Sequence, residues 1–296
     1  MWIIVQVKYL IMKNLRNSRI VAGLLTASIL LGPVTPASAG TAFGDESIDL
    51  EIGGFLSDFD TSVILTGPAG QGGKASLEKH LGLDPDQVTF RGNLSWRIAP
   101  HHRLMLGYYR YDRSSSAVLQ KDVIWEFPDG DTVEFTAGQV TESSFDWGLT
   151  PVSYAWSFYR NDRTELSAQF GVHWFSLDAS INGNAHVNGN PAFTYVSKSE
   201  SVSGPLPVIG LHASRALTPN WLVGAHAQYF GLDYDQYSGE LTDLRVHTEY
   251  RFTDHFGLGL GYTWYNFSVT EDGDRGYATT VDYTYNGLEA FVAFRF

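Results

Sequence analysis

Apolar and polar residues alternate along most of the chain beyond residue 40. Over residues 88–98, Val88, Phe90, Leu94, Trp96 and Ile98 share one parity, while Thr89, Arg91, Asn93, Ser95 and Arg97 share the other. Residues 165–174 set Leu166, Ala168, Phe170, Val172 and Trp174 against Glu165, Ser167, Gln169, Gly171 and His173. Residues 221–229 set Trp221, Val223, Ala225, Ala227 and Tyr229 against Leu222, Gly224, His226 and Gln228. Residues 244–252 set Leu244, Val246, Thr248, Tyr250 and Phe252 against Arg245, His247, Glu249 and Arg251. Residues 256–264 set Phe256, Leu258, Leu260, Tyr262 and Trp264 against Gly257, Gly259, Gly261 and Thr263. Successive side chains of a strand point to opposite faces, so each run predicts a β-strand with one apolar and one polar or small face.

A soluble sandwich and a transmembrane barrel both alternate this way. Three features favour the barrel. Aromatic residues gather at both ends of the apolar faces: Trp96, Phe158, Trp221, Tyr250, Phe252 and Phe256 near one set of turns, Tyr108, Trp174, Tyr229, Tyr262 and Trp264 near the other. Aromatic girdles belong at the membrane–water boundary, and the eight steps from Phe256 to Trp264 span roughly 20 Å of a ~25 Å apolar band. The connections also alternate in length. Ala99-Pro100-His101, Arg160-Asn161-Asp162-Arg163, Thr218-Pro219-Asn220 and Thr253-Asp254-His255 are short, whereas 67–86, 112–142, 181–204, 233–240 and 270–279 are long. Short periplasmic turns and long outer loops fit a bacterial barrel. Finally, the chain ends on a strand, with Leu288, Ala290, Val292, Phe294 and Phe296 on one face.

With both ends in the periplasm, four tight turns predict an all-β, transmembrane, antiparallel up-and-down barrel of ten strands, with eight as the alternative. The expected strands are 47–65, 87–98, 102–112, 143–159, 163–180, 206–217, 221–233, 240–252, 256–269 and 280–296. Pro151 interrupts the fourth and predicts a bulge, because proline has no N–H for the ladder. Residues 121–136 read as an extra hairpin above the membrane, turning at Asp129-Gly130.

Composition sharpens this picture. The 296-residue chain carries a net charge of −12, 18% charged residues and no cysteine. An acidic chain is ill-suited to nucleic acid, and the missing thiols exclude disulfides, cysteine nucleophiles and Cys-ligated metals. Lys13, Arg16 and Arg19 precede an apolar run from Ile20 to Leu31, then Ala37-Ser38-Ala39. Residues 1–39 therefore read as a secretory signal peptide, with Met12 as an alternative start, and residues 40–296 as the barrel. The apolar run is well short of the ~20 residues of a spanning helix.

The last residues, Phe291-Val292-Ala293-Phe294-Arg295-Phe296, resemble the C-terminal assembly signal of bacterial outer-membrane proteins. That resemblance implies export through the periplasm to a Gram-negative outer membrane. The implied partners are the barrel-assembly machinery, reading Phe294 and Phe296, and outer-membrane lipid and lipopolysaccharide. Leu77-Glu78-Lys79-His80-Leu81-Gly82-Leu83, His102-Arg103-Leu104 and Tyr108-Tyr109-Arg110-Tyr111-Asp112-Arg113 are similar to stretches of a little-characterised set of proteobacterial barrels. That similarity brings no activity with it.

Alternation places Asp49, Glu51, Arg91, Arg97, Arg103, Glu165, Arg215, Arg245, Glu249, Arg251, Glu289 and Arg295 in the lumen, as a charge network. Ten strands enclose little free space, and charges there must pair or stay wet. A packed ion-pair network is the leading reading, and a narrow, Arg-lined, porin-like passive channel for small solutes the second. His173, His212, His226 and His247 also point inward, and hydrogen-bonded lumen histidines are expected in preference to a metal site. No metal and no cofactor are expected.

Two resemblances to hydrolases bear on function. His212-Ala213-Ser214 resembles the His-x-Ser of outer-membrane lipid A deacylases, but alternation turns both side chains into the lumen, away from lipid. Ten strands also resemble the omptin proteases, whose acids stand at the outer rim; Asp58, Asp60, Asp146, Asp178, Asp233 and Asp235 lie near that rim without an Asp-x-His pair. The acidic outer loops, with Asp233, Asp235 and Glu240 in one and Glu271, Asp272 and Asp274 in another, read as solvated turns that alternatively bridge divalent cations to lipopolysaccharide. The function expected from sequence is a non-enzymatic envelope barrel of structural or surface-interaction type.

Overall fold

The computed structural model describes residues 46–66, 72–120, 122–126, 132–234, 237–272 and 278–296. The signal-peptide reading, the Asp129-Gly130 turn, Asp235 and Asp274 lie outside these residues. The elements are β1 (Ile48–Thr66), β2 (Gly72–Ser76), α1 (Leu77–Leu81), β3 (Asp86–Ala99), β4 (His102–Val118), β5 (Val123–Glu126), β6 (Thr132–Phe135), β7 (Val140–Arg160), β8 (Thr164–Val187), β9 (Phe193–Thr218), β10 (Trp221–Tyr234), β11 (Tyr237–Arg251), β12 (Phe256–Asp272) and β13 (Ala278–Arg295).

Ten of the strands close an antiparallel barrel in the order β1, β3, β4, β7, β8, β9, β10, β11, β12, β13. The eight-strand alternative is excluded. Closure runs from Asp49 opposite Arg295 to Thr66 opposite Ala278. Each barrel strand thereby has a neighbour on both sides, as hydrocarbon requires because it offers backbone groups no partner. β5 and β6 form the extra hairpin, Val123 opposite Phe135, and β6 joins the far end of β8.

Three expectations about the strands need correction. The long connections are shorter than alternation suggested, because the strands continue into them. β9 begins at Phe193, and most of the expected loop 181–204 is ladder. The expected loop 67–86 holds β2 and α1. The helix is capped by the Ser76 side chain on Lys79 N–H and closed by Gly82 at φ +70°. The third concerns Pro151. It stays in register with His173, and the β4 ladder resumes in unchanged register on either side of an unpaired stretch opposite Gly107 and Tyr108. The missing N–H is absorbed as a lapse in one ladder. The bulge of β7 lies lower, between Ser157 and Tyr159.

β9 has 26 residues, against the ~9–11 that a tilted strand needs to cross hydrocarbon. The surplus lies beyond the upper aromatic girdle, and there the faces invert. Along β8 the outward parity reads Leu166, Ala168, Phe170, Val172 and Trp174, then changes to Ser176, Asp178, Ser180 and Asn182. The inward parity reads Glu165, Ser167, Gln169, Gly171 and His173, then changes to Phe175, Leu177, Ala179 and Ile181. Neighbouring strands follow in register. Asp112, Asp146 and Asp178 lie across β4, β7 and β8 just above the girdle, with Ser114, Ser144 and Ser180 one step further. The lower half is thus apolar outside and polar inside, and the upper half is the reverse.

Candidate functional site: the lumen

The lower lumen is a layered ion-pair network. At the short-turn mouth, Arg295 pairs with Glu249 and, through Nε, with Asp49 at 2.9 Å, and Arg251 pairs with Glu46 at 2.7 Å. Beside them Glu165 accepts a two-pronged contact from Arg97, 2.7 Å at the nearer nitrogen, and a further one from Arg103 at 3.1 Å. The Ser157 hydroxyl also donates to Glu165. One layer up, Arg91 reaches Glu289 at 3.0 Å and Thr263 Oγ1 at 2.8 Å, while Arg245 joins Glu289 to Glu51, the latter at 2.8 Å. Arg91 also lies over the rings of Phe55 and Tyr109, at 4.4 and 4.2 Å from their centroids.

Small residues make room for this charge. The glycine parity of β12 seats the neighbouring strands: a Cβ on Gly257 would collide with Glu249, on Gly259 with Phe291 and on Gly261 with Glu289. The alternation of apolar residues with glycine on this strand serves the lipid belt on one face and the charge network on the other.

Above the ion pairs, His173 Nε2 stands 2.7 Å from Gln228 Oε1, and Gln228 donates to Ser153 and Gln169. His226 faces Asp243 at 3.4 Å. A cavity of ≈ 120 Å³ remains among these groups, with His212, His226, His247, Ser214, Arg103 and Asp243 in its wall. About 10–15 Å³ of such space suffices for one water, so the cavity has room for several. Among the described residues, no group of three or more His, Asp or Glu stands close enough to hold a metal ion.

The upper lumen is filled by rings and aliphatic groups. Trp147 stacks on Tyr283 and Phe175 with centroids 4.6 and 5.5 Å apart, Tyr265 stacks on Tyr285 at 4.8 Å, and Phe59 meets Tyr111 edge-on at 5.1 Å. Leu149, Leu206, Val208, Leu241 and Phe267 complete the same buried cluster. Offset and edge-on contacts add to area burial in such a core. Arg113 lies over its top, fully buried, 4.6 Å above the ring of Phe59. It donates to Glu78 of α1 and to Thr61, each at 2.8 Å. Glu78 also accepts from the Thr61 backbone N–H. Burial pushes the Glu78 carboxyl up, but these hydrogen bonds and the Arg113 charge hold it below the usual glutamate range. α1 is thereby fixed as a cap.

Of the residues singled out from sequence, Glu51, Arg91, Arg97, Arg103, Glu165, Arg245, Glu249, Arg251, Glu289 and Arg295 meet in the lower lumen, and the four histidines line the layer above. Arg215 does not join them. It shares the parity of Ile209, Leu211 and Leu217 and is exposed on the outer face, while Ala216 points inward. Phe294 packs at 6.0 Å from Phe256, and the Phe296 carbonyl accepts from Ser47 and Ile48 at the barrel seam. His212 and Ser214 both line the cavity without a hydrogen bond between them. Asp58, Asp60, Asp178 and Asp233 are exposed on the outside of the upper wall. The aromatic core and the Arg113–Glu78 cap were not anticipated. The signal for them was the change of parity above Trp174 on β8, and likewise in Tyr108-Tyr109-Arg110-Tyr111 on β4.

No known family's sequence model and no curated protein matches this chain. Solved structures do match. The outer membrane protease OmpT of Escherichia coli aligns at 13% identity over 87% of this chain and 99% of that one, with a TM-score of 0.53. The transport unit of the autotransporter AIDA-I of Escherichia coli gives 11% identity, 88% and 93% coverage and a TM-score of 0.40. The attachment invasion locus protein Ail of Yersinia pestis gives 11% identity, 82% and 97% coverage and a TM-score of 0.30. At these identities the likeness shows fold alone, and only the OmpT overlay is close enough to bear on it. Together with the apolar belt and closed ladder, it defines the chain as a ten-stranded barrel of the bacterial outer-membrane type.

Proposed function

We propose that this protein is a non-enzymatic barrel of the bacterial outer membrane with a closed lumen, serving as a structural or surface-interaction element. Its short turns face the periplasm, and its upper half stands in the extracellular space. The observation that carries this reading is the buried aromatic core beneath the α1 cap, which fills the lumen above the charged layers. A passive channel for small solutes is the second reading, favoured by the polar-walled cavity beneath that core. Planar-bilayer recording of the refolded protein separates the two. A closed barrel gives no steady unitary openings. Openings that vanish when Arg97 or Arg245 is changed would establish the channel instead.

A further inference from the structure

The arginines of the lower lumen all have carboxylate partners, but two at the short-turn rim do not. Arg163 lies in the turn between β7 and β8, and Arg215 is opposite Thr164 on the adjacent β9. The two segments are tied together, since the Ala216 N–H donates to the Arg163 carbonyl at 2.8 Å. Both side chains are exposed, and neither makes an ion pair or side-chain hydrogen bond among the described residues. Asp162 in the same turn pairs with neither. Arg215 interrupts an otherwise apolar outward row, between Leu211 and Leu217, and Leu217, Trp221, Phe158 and Tyr159 at the same end of the barrel are about half exposed. An arginine on the lipid face at the foot of a strand puts its guanidinium at headgroup depth. A second arginine beside it supplies another planar fork of N–H donors, the geometry that grips a phosphodiester.

We infer that Arg163 and Arg215 form a clamp for the phosphate of an anionic phospholipid in the periplasmic leaflet. The girdle residues around it would hold the acyl chains. The orientation rests on the proposed function; the clamp does not depend on whether the lumen conducts. In a chain of net charge −12, two adjacent unpaired cations at this depth match an anionic headgroup and not the neutral hydrocarbon above it.

The test uses the mature chain refolded into vesicles of equimolar phosphatidylglycerol and phosphatidylcholine, released into detergent and read by native mass spectrometry. The wild type is expected to retain phosphatidylglycerol in preference to phosphatidylcholine. R163Q/R215Q is expected to lose about tenfold of that retention, and R163K/R215K to fall between the two, because an ammonium attracts the phosphate as a point charge without the fork. R215Q alone serves if the double variant fails the heat-shift check for folding. Retention unchanged in the glutamine variants would overturn the clamp. So would displacement of the lipid by inorganic phosphate, which would mark a free-anion site. Conductance recorded on the same samples keeps the two readings apart: openings would sink the closed lumen, and lipid loss alone would not.

Discussion

The two halves of the barrel are built from the same alternation read in opposite senses. In the lower half the outward parity is apolar and the inward parity carries six arginines with their acids. In the upper half the outward parity is serine, asparagine and aspartate, and the inward parity is tryptophan, tyrosine and phenylalanine. Solvent explains the difference. Where hydrocarbon lies outside, the apolar face is already satisfied and the inside is free to hold charge, provided each charge is paired. Where water lies outside, the strands must bury apolar surface inward, as a soluble barrel does. A barrel that outgrows its membrane therefore acquires a core at the level where the solvent changes, and that core fills the upper lumen.

The sharpest break in this comparison is a charge left alone in the lower half. Glu289 joins Arg91 to Arg245, and Glu289→Leu is expected to cost about 3–5 kcal/mol, because it strips Arg91 of its one carboxylate partner among the described residues. Reversible urea unfolding in lipid vesicles reads it. Next comes the outer face, probed by one substitution at two heights on β9. Ile209→Arg, in the apolar belt, is expected to destabilise by ~2–4 kcal/mol, while Ser201→Arg, above the girdle, should stay within about 0.5 kcal/mol. Equal losses at the two sites would erase the difference between the halves.

A smaller effect separates the inner and outer faces within the lower half. Gly261→Ala drives a Cβ into the Glu289 carboxylate, and a loss of about 1–3 kcal/mol is expected. At Gly54, on the outward face, a Cβ would meet nothing within 4 Å, and Gly54→Ala should be neutral or stabilising by under about 1 kcal/mol. Thermal shifts of the two variants in one detergent give the contrast directly.

The smallest effect concerns the cap, which lies outside the spanning strands. The Glu78 carboxyl is held below its ordinary range in the folded protein, so its contribution is complete at neutral pH. It declines as pH falls through the ordinary glutamate range and is lost below the lowered folded value. Glu78→Gln should therefore reduce stability at neutral pH, and the gap between variant and wild type should close in acid. A gap that persists unchanged at low pH would disconnect the cap from this carboxylate.

The lower half was legible in the sequence because hydrocarbon enforces strict alternation. Glu249, Arg245 and Arg295 could be placed inside from parity alone. Arg215 departs from the expected lumen set because it keeps the outward parity of Ile209, Leu211 and Leu217 at the foot of β9, while Ala216 takes the inward place. The upper half was harder to see for two reasons. Its strands run through segments rich in Ser, Asn and Gly, such as 180–187, or in Ser alone, such as 194–204, that resemble loops by composition. Its inward residues are also aromatic in places where the outward ones are too, as at Tyr108 and Tyr109, so the change of sense is hidden at the girdle itself. Nothing local marks Glu78 and Arg113 as partners; they are 35 residues apart and meet only when β4 and α1 close over the same core.

The height at which the faces invert can be measured outright, since the chain has no cysteine to interfere with labelling. Single cysteines at the outward positions of β8, Phe170, Val172, Trp174, Ser176, Asp178 and Ser180, carry a nitroxide in vesicle-embedded protein, and its relaxation by oxygen is compared with that by a water-soluble nickel chelate. Oxygen should dominate through Val172 and nickel from Ser176 onward, with the crossing at Trp174. Oxygen dominance persisting to Ser180 would place hydrocarbon around the upper wall and contradict a water-driven aromatic core.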